Sequence, residues 1–283
     1  MTNVLLAALC SVLVSVLLKL ARRRGVDVGQ AIAWNYVATL ALTLVVLRPP
    51  LAPLQAAGAA TWVTLGALGL LLPTVFLALA ASVRHAGIVR SDAAQRLSLL
   101  IPLLAAFTLF GQPARDMQLL GCALGLLALA AMVWQGDRTA AVDAAATGWG
   151  WPLAVFAGFG LIDVLFKRVA ATGLPLGSAL LAVFALALLV AFALPVARRT
   201  RFTLGNALGG LLLGACNFAN ILFYLHAHRA LPDNPALVFA SMNLGVVVLG
   251  ALAGVAVFKE RLGRINALGL LLALAAIALL AWG

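Results

Sequence analysis

FGQPARDMQLLGCALGLLALAAMVW, residues 110–134, and FKERLGRINALGLLLALAAIALLAW, residues 258–282, lie on one another without a gap at an offset of 148 residues. The same offset places Lys19 on Lys167, Gly25 on Gly173, Gly29 on Gly177, Gly66 on Gly214 and Phe76 on Tyr224. One register running through both halves marks an internal duplication. In each copy a polar entry leads into a run of Leu, Ala and Gly about as long as the roughly 20 residues a helix needs to cross a bilayer core.

The rest of the chain is built of similar runs. Of its 283 residues 65% are apolar and 10% charged, against about 45–50% and 25% in a soluble domain. With a mean hydropathy of +1.13, soluble, disordered and collagen-like classes are excluded. Ten apolar runs lie near 3–20, 30–47, 59–82, 88–110, 117–135, 148–167, 176–196, 206–227, 235–258 and 265–282. Backbone groups in hydrocarbon must be paired within the segment, so each run is expected to be a helix. Met1-Thr2-Asn3 carries no basic residue ahead of the first run, so that run is read as a retained helix and not as a cleaved signal. The expected fold is an all-α integral membrane protein with ten transmembrane helices. Residues 1–135 form the first repeat, 136–147 a linker and 148–283 the second repeat.

Five helices per repeat make the second copy enter the membrane from the opposite side, so the repeats are inverted. The basic residues agree. The loops after runs 1, 3, 5, 7 and 9 hold 13 Lys and Arg, among them Arg22, Arg23, Arg24, Arg84, Arg198 and Arg199, and the other loops hold 5. The positive-inside rule puts the first set in the cytoplasm and both termini outside. The expected location is a cell membrane, the inner membrane of a bacterium. The net charge of +11 is thereby loop charge, and no basic stretch with interleaved aromatics offers itself to nucleic acid. Cys10, Cys122 and Cys216 have no metal-ligand spacing and read as small packing residues. No cofactor or metal is expected.

Lys19 at the end of the first run, RLSLLIPLLAAFTLFGQ at 96–112 and FKERLGRINALG at 258–269 resemble the drug/metabolite transporter superfamily in its ten-helix, EamA-like form. The resemblance covers essentially the whole chain. Glu260 stands at the family's junction glutamate and Gln112 replaces it in the first half. The resemblance implies two bundles of five antiparallel helices and a central cavity lined mainly by helices 1, 3, 4, 6, 8 and 9. Helices 5 and 10 are expected to pack outside. Many members keep their termini in the cytoplasm; the charge count of this chain points the other way.

Polar side chains inside apolar runs are the candidate site, because a charge near mid-membrane costs at least about 2.5–3.5 kcal/mol. Asp163 in the sixth run is the sharpest and is the candidate for a coupling proton. It shares a stripe with Phe159 and Lys167, and an i,i+4 pair with Lys167 is the structural alternative. Lys19 is read as an interfacial anchor within reach of substrate. Asn217, Asn220, Tyr224 and His228 fall on one face of the eighth run, either as a cavity wall or as interhelical hydrogen bonds. His226 and His228 are read as interfacial. Gln95 superposes on Asn243 at the same offset, Ser15 on Asp163, and Asp92 and Arg96 are spaced to pair; Arg96 is the group to meet an anionic substrate. Asn35 and Tyr36 are weaker candidates. Gly121/Gly125, Gly210/Gly214 and Gly250/Gly254 are read as close-packing pairs, and Pro73 and Pro102 as kinks.

Inverted repeats place a substrate site at the midplane between the halves and allow alternating access. The expected function is a secondary transporter, in the exporting direction, of small polar or amphipathic metabolites. Its partners are the substrate, the lipid bilayer and a proton, in a monomer or homodimer. A channel or a lipid scramblase or flippase is the competing function. An intramembrane enzyme is disfavoured by the lack of His-Glu-x-x-His and Gly-x-Ser-x-Gly motifs and by a single Glu in the chain, and no P-loop is present for an ATP-driven pump.

Overall fold

The computed structural model describes residues 1–23, 26–86, 88–134, 149–258 and 264–282. The linker 136–147 and Glu260 fall outside the described residues. Among the described residues regular structure is entirely helical: α1 Thr2–Arg23, α2 Val28–Leu42 extended by a π-helical turn Thr43–Leu47, α3 Ala52–Gln55, α4 Ala59–Ala86, α5 Ile88–Leu97, α6 Leu100–Thr108, α7 Asp116–Trp134, α8 Gly150–Ala171, α9 Leu176–Ala197, α10 Leu204–Ala230, α11 Pro235–Phe258 and α12 Arg264–Trp282. A helix lies over each apolar run. Five helical stretches are long and apolar enough to cross a membrane: Val28–Leu47, Ala59–Ala86, Leu176–Ala197, Leu204–Ala230 and Pro235–Ala256. Their outer faces keep large apolar side chains exposed, among them Leu70, Leu189 and Leu212, as a surface solvated by lipid requires.

The fourth run is not one helix. It breaks at Ser98 and Leu99 between α5 and α6. Pro102 has no N–H to give the Ser98 carbonyl four residues back, and its ring crowds that oxygen. Ile101 N–H takes the freed Ser98 carbonyl at 3.1 Å and Ser98 Oγ donates to the Gln95 carbonyl at 2.6 Å. Pro73, by contrast, sits inside α4, which runs through it. Lys167 and Arg168, counted as loop charges, lie within α8.

Helix bounds follow the offset of the sequence: α1 and α8, and α7 and α12, begin and end 148 residues apart, and α2 and α9 begin so. Their packing follows it too. α1 lies on α10 and α11, while α8 lies on α4, α5 and α6; α2 packs on α10 and α9 on α4; α7 and α12 pack on each other. Near the start of α2, Gln30 Nε2 donates to the Arg201 carbonyl beyond α9 at 3.0 Å, and near the start of α9, Ser178 Oγ donates to the Pro50 carbonyl beyond α2 at 2.7 Å. Each helix thus holds the chain that leaves the other.

Close approach of helices rests on glycine at defined places. A Cβ on Gly210 would come within 2.7 Å of the Ala31 carbonyl of α2, and one on Gly121 within 2.8 Å of Leu280 of α12. Gly250 meets no atom within 4 Å, so it is not part of a packing pair. Overpacking in a tight seam costs about 1–3 kcal/mol. Gly210→Val is therefore expected to lower the thermal unfolding midpoint of the purified protein, while Gly250→Val leaves it unchanged; calibrated thermal denaturation in detergent checks both.

Candidate functional site

Asp163 lies near the middle of α8, where its neighbours Ile162 and Val164 turn into the core. Its two carboxylate oxygens face different helices. Tyr224 Oη of α10 donates to Oδ1 at 2.9 Å, and Asn243 Nδ2 of α11 lies 3.4 Å from Oδ2. The second Asn243 amide hydrogen is matched by the Phe239 carbonyl at 3.0 Å, which fixes the amide so that its nitrogen, not its oxygen, points at the carboxylate. Phe166 meets the Tyr224 ring edge-on at 5.8 Å, and Phe159 meets Phe76 of α4 at 6.0 Å. A carboxylate joined by two donors and walled by aromatic rings is thus shared by three helices that the sequence separates widely.

Asn243 also belongs to a second space. A cavity of about 110 Å³ is lined by Ser15 of α1, Asp92, Gln95 and Arg96 of α5 and Asn243 of α11, with Leu129, Val246 and Val247. The structure therefore brings Gln95 and Asn243 together, along with Ser15, the counterpart of Asp163. Arg96 Nε donates to Asp92 Oδ2 at 2.6 Å; Arg96 thus has its anion already, and a substrate anion would compete with Asp92 for it.

Two turns from Tyr224 along the same face of α10, Asn217 lines with Asn35 a pocket of about 30 Å³, together with Phe76 and Leu213, room for about one water. Val28 and Ala80 are shared between this pocket and a vestibule of about 920 Å³ that opens at the end of the bundle. Its walls come from the start of α2, the last turns of α4 with Arg84 and His85, Trp151 at the start of α8, and Arg198 and Thr200 beyond α9. Asn220 keeps a buried Oδ1 without a protein partner, and the Tyr36 hydroxyl, fully buried, does likewise.

One open alternative is decided and one expected placement is corrected. Lys167 is not engaged with Asp163: its Nζ donates to the Pro232 carbonyl at 2.6 Å and lies 5.9 Å from the Phe110 ring centre, because the residue sits one turn nearer the helix end and its long stem carries the charge to the loop before α11. His228 is not interfacial: it is 1% exposed, 4.7 Å from the Tyr224 ring and 4.9 Å from Phe239, because α10 runs on to Ala230 and α8 and α11 cover its last turns. Lys19 falls within α1, but its side chain is outside the described residues.

Gln112, Gln118 and Asn234 form a polar cluster that no sequence spacing signalled. Gln112 Nε2 donates to Gln118 Oε1 at 2.8 Å and to Asn234 Oδ1 at 3.2 Å, Gln118 Nε2 donates to Asn234 Oδ1 at 2.9 Å, and Gln112 Oε1 accepts from Ala236 N–H at 2.9 Å. The replacement of the junction glutamate by Gln112 was the one hint in the sequence. Among the described residues, no group of three or more His, Cys, Asp or Glu is placed to hold a metal ion.

An uncharacterized protein of Haemophilus influenzae is 42% identical to this chain over 284 residues, covering 98% of this chain and 96% of its own. The chain belongs to that protein's family. No protein-family model matches it. A solved crystal structure of a protein 16% identical to it superposes with a TM-score of 0.67 over 99% of this chain and 97% of the other, a likeness of fold.

Interhelical hydrogen bonds in membrane proteins contribute about 0.6–2 kcal/mol. Tyr224→Phe removes the donor to Asp163 and is expected to destabilise the protein by roughly 1–2 kcal/mol. In an Asp163→Leu background the same change is expected to cost measurably less, which a double-mutant cycle of unfolding free energies reads directly.

Proposed function

We propose that this chain is a secondary transporter of the EamA-like, drug/metabolite transporter kind, with ten spans in two inverted repeats, exporting small polar or amphipathic metabolites by alternating access. The carrying observation is the Asp163–Tyr224–Asn243 cluster: an acid near the middle of an apolar helix, tied to two other helices of the second half, one of which, through Asn243, reaches a cavity that Ser15 and Gln95 of the first half also line. The 148-residue periodicity of helix bounds and packing supports the inverted repeat. The ends of α4 and α9 at the vestibule carry Arg84 and Arg198, so the positive-inside rule turns the vestibule to the cytoplasm, the side from which an exporter loads.

In this scheme substrate enters through the vestibule and displaces water from Asn35, Asn217 and Asn220. Gln95, Arg96 and Asn243 offer amide and guanidinium donors on the α5 and α11 side, and Lys167 and Lys19 stand at the two ends of the path. Asp163 is the proton carrier. Protonation from the outside removes its charge and with it an acceptor for substrate donors, so the proton displaces substrate; release of that proton to the cytoplasm restores the carboxylate that the next substrate meets. No cofactor enters, and two complete halves in one chain make a monomer sufficient.

A ligand-stabilisation screen of the purified protein against a metabolite panel identifies a substrate, since a ligand that binds the folded state raises its unfolding midpoint. In proteoliposomes Asp163→Asn is then expected to abolish uptake driven by a pH gradient while leaving expression and elution normal; pH-driven uptake at the wild-type rate contradicts the assignment. Asn217→Leu with Asn220→Leu is expected to weaken substrate binding about tenfold or more, the loss of one or two net hydrogen bonds, read as a smaller stabilisation at fixed ligand.

A further inference from the structure

We propose that Gln112, Gln118, Asn234 and Lys167 form the gate that closes the pathway at the end opposite the vestibule, and that their hydrogen bonds break and re-form in each cycle. The proposal rests on the transport function above and adds to it the identity of the moving seal.

The seal joins five separate stretches of chain. Gln112 comes from the turn after α6, Gln118 from the first turn of α7, Asn234 from the loop after α10, Ala236 N–H from the first turn of α11, and Lys167 reaches the Pro232 carbonyl from α8. Gln112 is 5% exposed, Gln118 2% and Lys167 6%. It lies at the far end of α10 from the vestibule: the start of that helix meets Asp27 and Gln30 through Asn206, and its 27 residues span about 40 Å at 1.5 Å per residue.

A permanent seam between helices has no need of three amides and an ammonium, since apolar packing of the same shape is at least as stable. Amide hydrogen bonds are different in one respect: water replaces them at small net cost, so a seal made of them opens without exposing a large apolar face. What stands behind the seal is also polar. His228 is fully buried with neither ring nitrogen partnered among the described residues, in contact with Phe239, whose ring in turn meets Phe110 at 6.5 Å. An imidazole left unpaired in the closed state gains hydrogen-bond partners once that end is wet.

The repeat supplies a second, independent line. At the 148-residue offset Lys167 corresponds to Lys19, Pro232 to Arg84, Gln112 to Glu260 and Gln118 to Asn266. Arg84 lines the open vestibule, whereas Pro232 is held by Lys167. Arg84 is thus at the open end and its counterpart Pro232 at the bonded one, and alternating access between inverted repeats requires that such environments be exchanged.

The test is side-specific thiol labelling in proteoliposomes of known orientation, after Cys10, Cys122 and Cys216 are replaced by alanine. His228→Cys reports from behind the gate and Ala78→Cys from the vestibule wall, each with a membrane-impermeant methanethiosulfonate. With the gate intact, position 228 is expected to react from the far side more slowly than position 78 reacts from the vestibule side; the reverse order overturns the proposal without any gate variant. Gln112→Ala with Gln118→Ala, and separately Lys167→Met, are expected to raise far-side labelling of position 228 by about tenfold, as loss of one net hydrogen bond shifts a two-state population. Wild-type labelling rates in monodisperse gate variants overturn the gate and leave the transport function standing. Raised labelling with no flux of any stabilising ligand does the opposite.

Discussion

Asp163 carries its carboxylate into the middle of α8 among apolar side chains, and a carboxylate left without donors in such surroundings is strongly destabilising. Tyr224 and Asn243 answer it with one donor each, and to do so α10 and α11 must present those two side chains at one depth against α8. That requirement brings the other polar groups with it. Asn217, Asn220 and His228 share the face of α10 that carries Tyr224, and Asn243 brings α11 against the cavity that α5 lines with Asp92, Gln95 and Arg96. An apolar residue at 163 would leave no reason for these side chains to converge inside the span.

The helices themselves were legible because lipid leaves no alternative: an apolar run long enough to cross has to pair its backbone within itself. The offset made Gln95 and Asn243 legible as partners before any coordinates, and the structure sets them on one cavity. Gln112, Gln118 and Asn234 were not legible, since Asn234 stands 116 and 122 residues from its partners and each amide alone looks like an ordinary loop residue. Lys167 left two readings open, since its i,i+4 spacing from Asp163 permits a pair, and the flexible four-carbon stem takes it to the Pro232 carbonyl instead. His228 misled because a helix read as ending near 227 runs to Ala230, which moves the last turn from the rim to the interior. At Ser98 the rule that proline interrupts a helix was known, but whether Pro102 would bend the chain or part it depended on the hydrogen bonds Ser98 could find.

The two ends of the molecule differ in kind. One is wide and ringed by Arg84, His85, Trp151 and Arg198; at the other, Gln112, Gln118 and Asn234 bond to one another and Lys167 to the Pro232 carbonyl. Glycine seams such as Gly210 on α2 are rigid, since any added carbon meets backbone. The polar seal is the part whose bonds exchange readily with water. In the proposed cycle, rigid seams with one exchangeable closure would let the halves rock as bodies about Asp163, which is hydrogen-bonded to α10 and α11 from α8.

The central claim is that the chain moves a bound substrate by alternating access, and trans-stimulated flux in proteoliposomes tests it most directly. With a substrate found by thermal stabilisation, uptake is predicted to saturate with concentration and to accelerate when the lumen is preloaded with unlabelled substrate. Flux that rises linearly with concentration, follows the membrane potential and ignores preloading would contradict it and identify a channel.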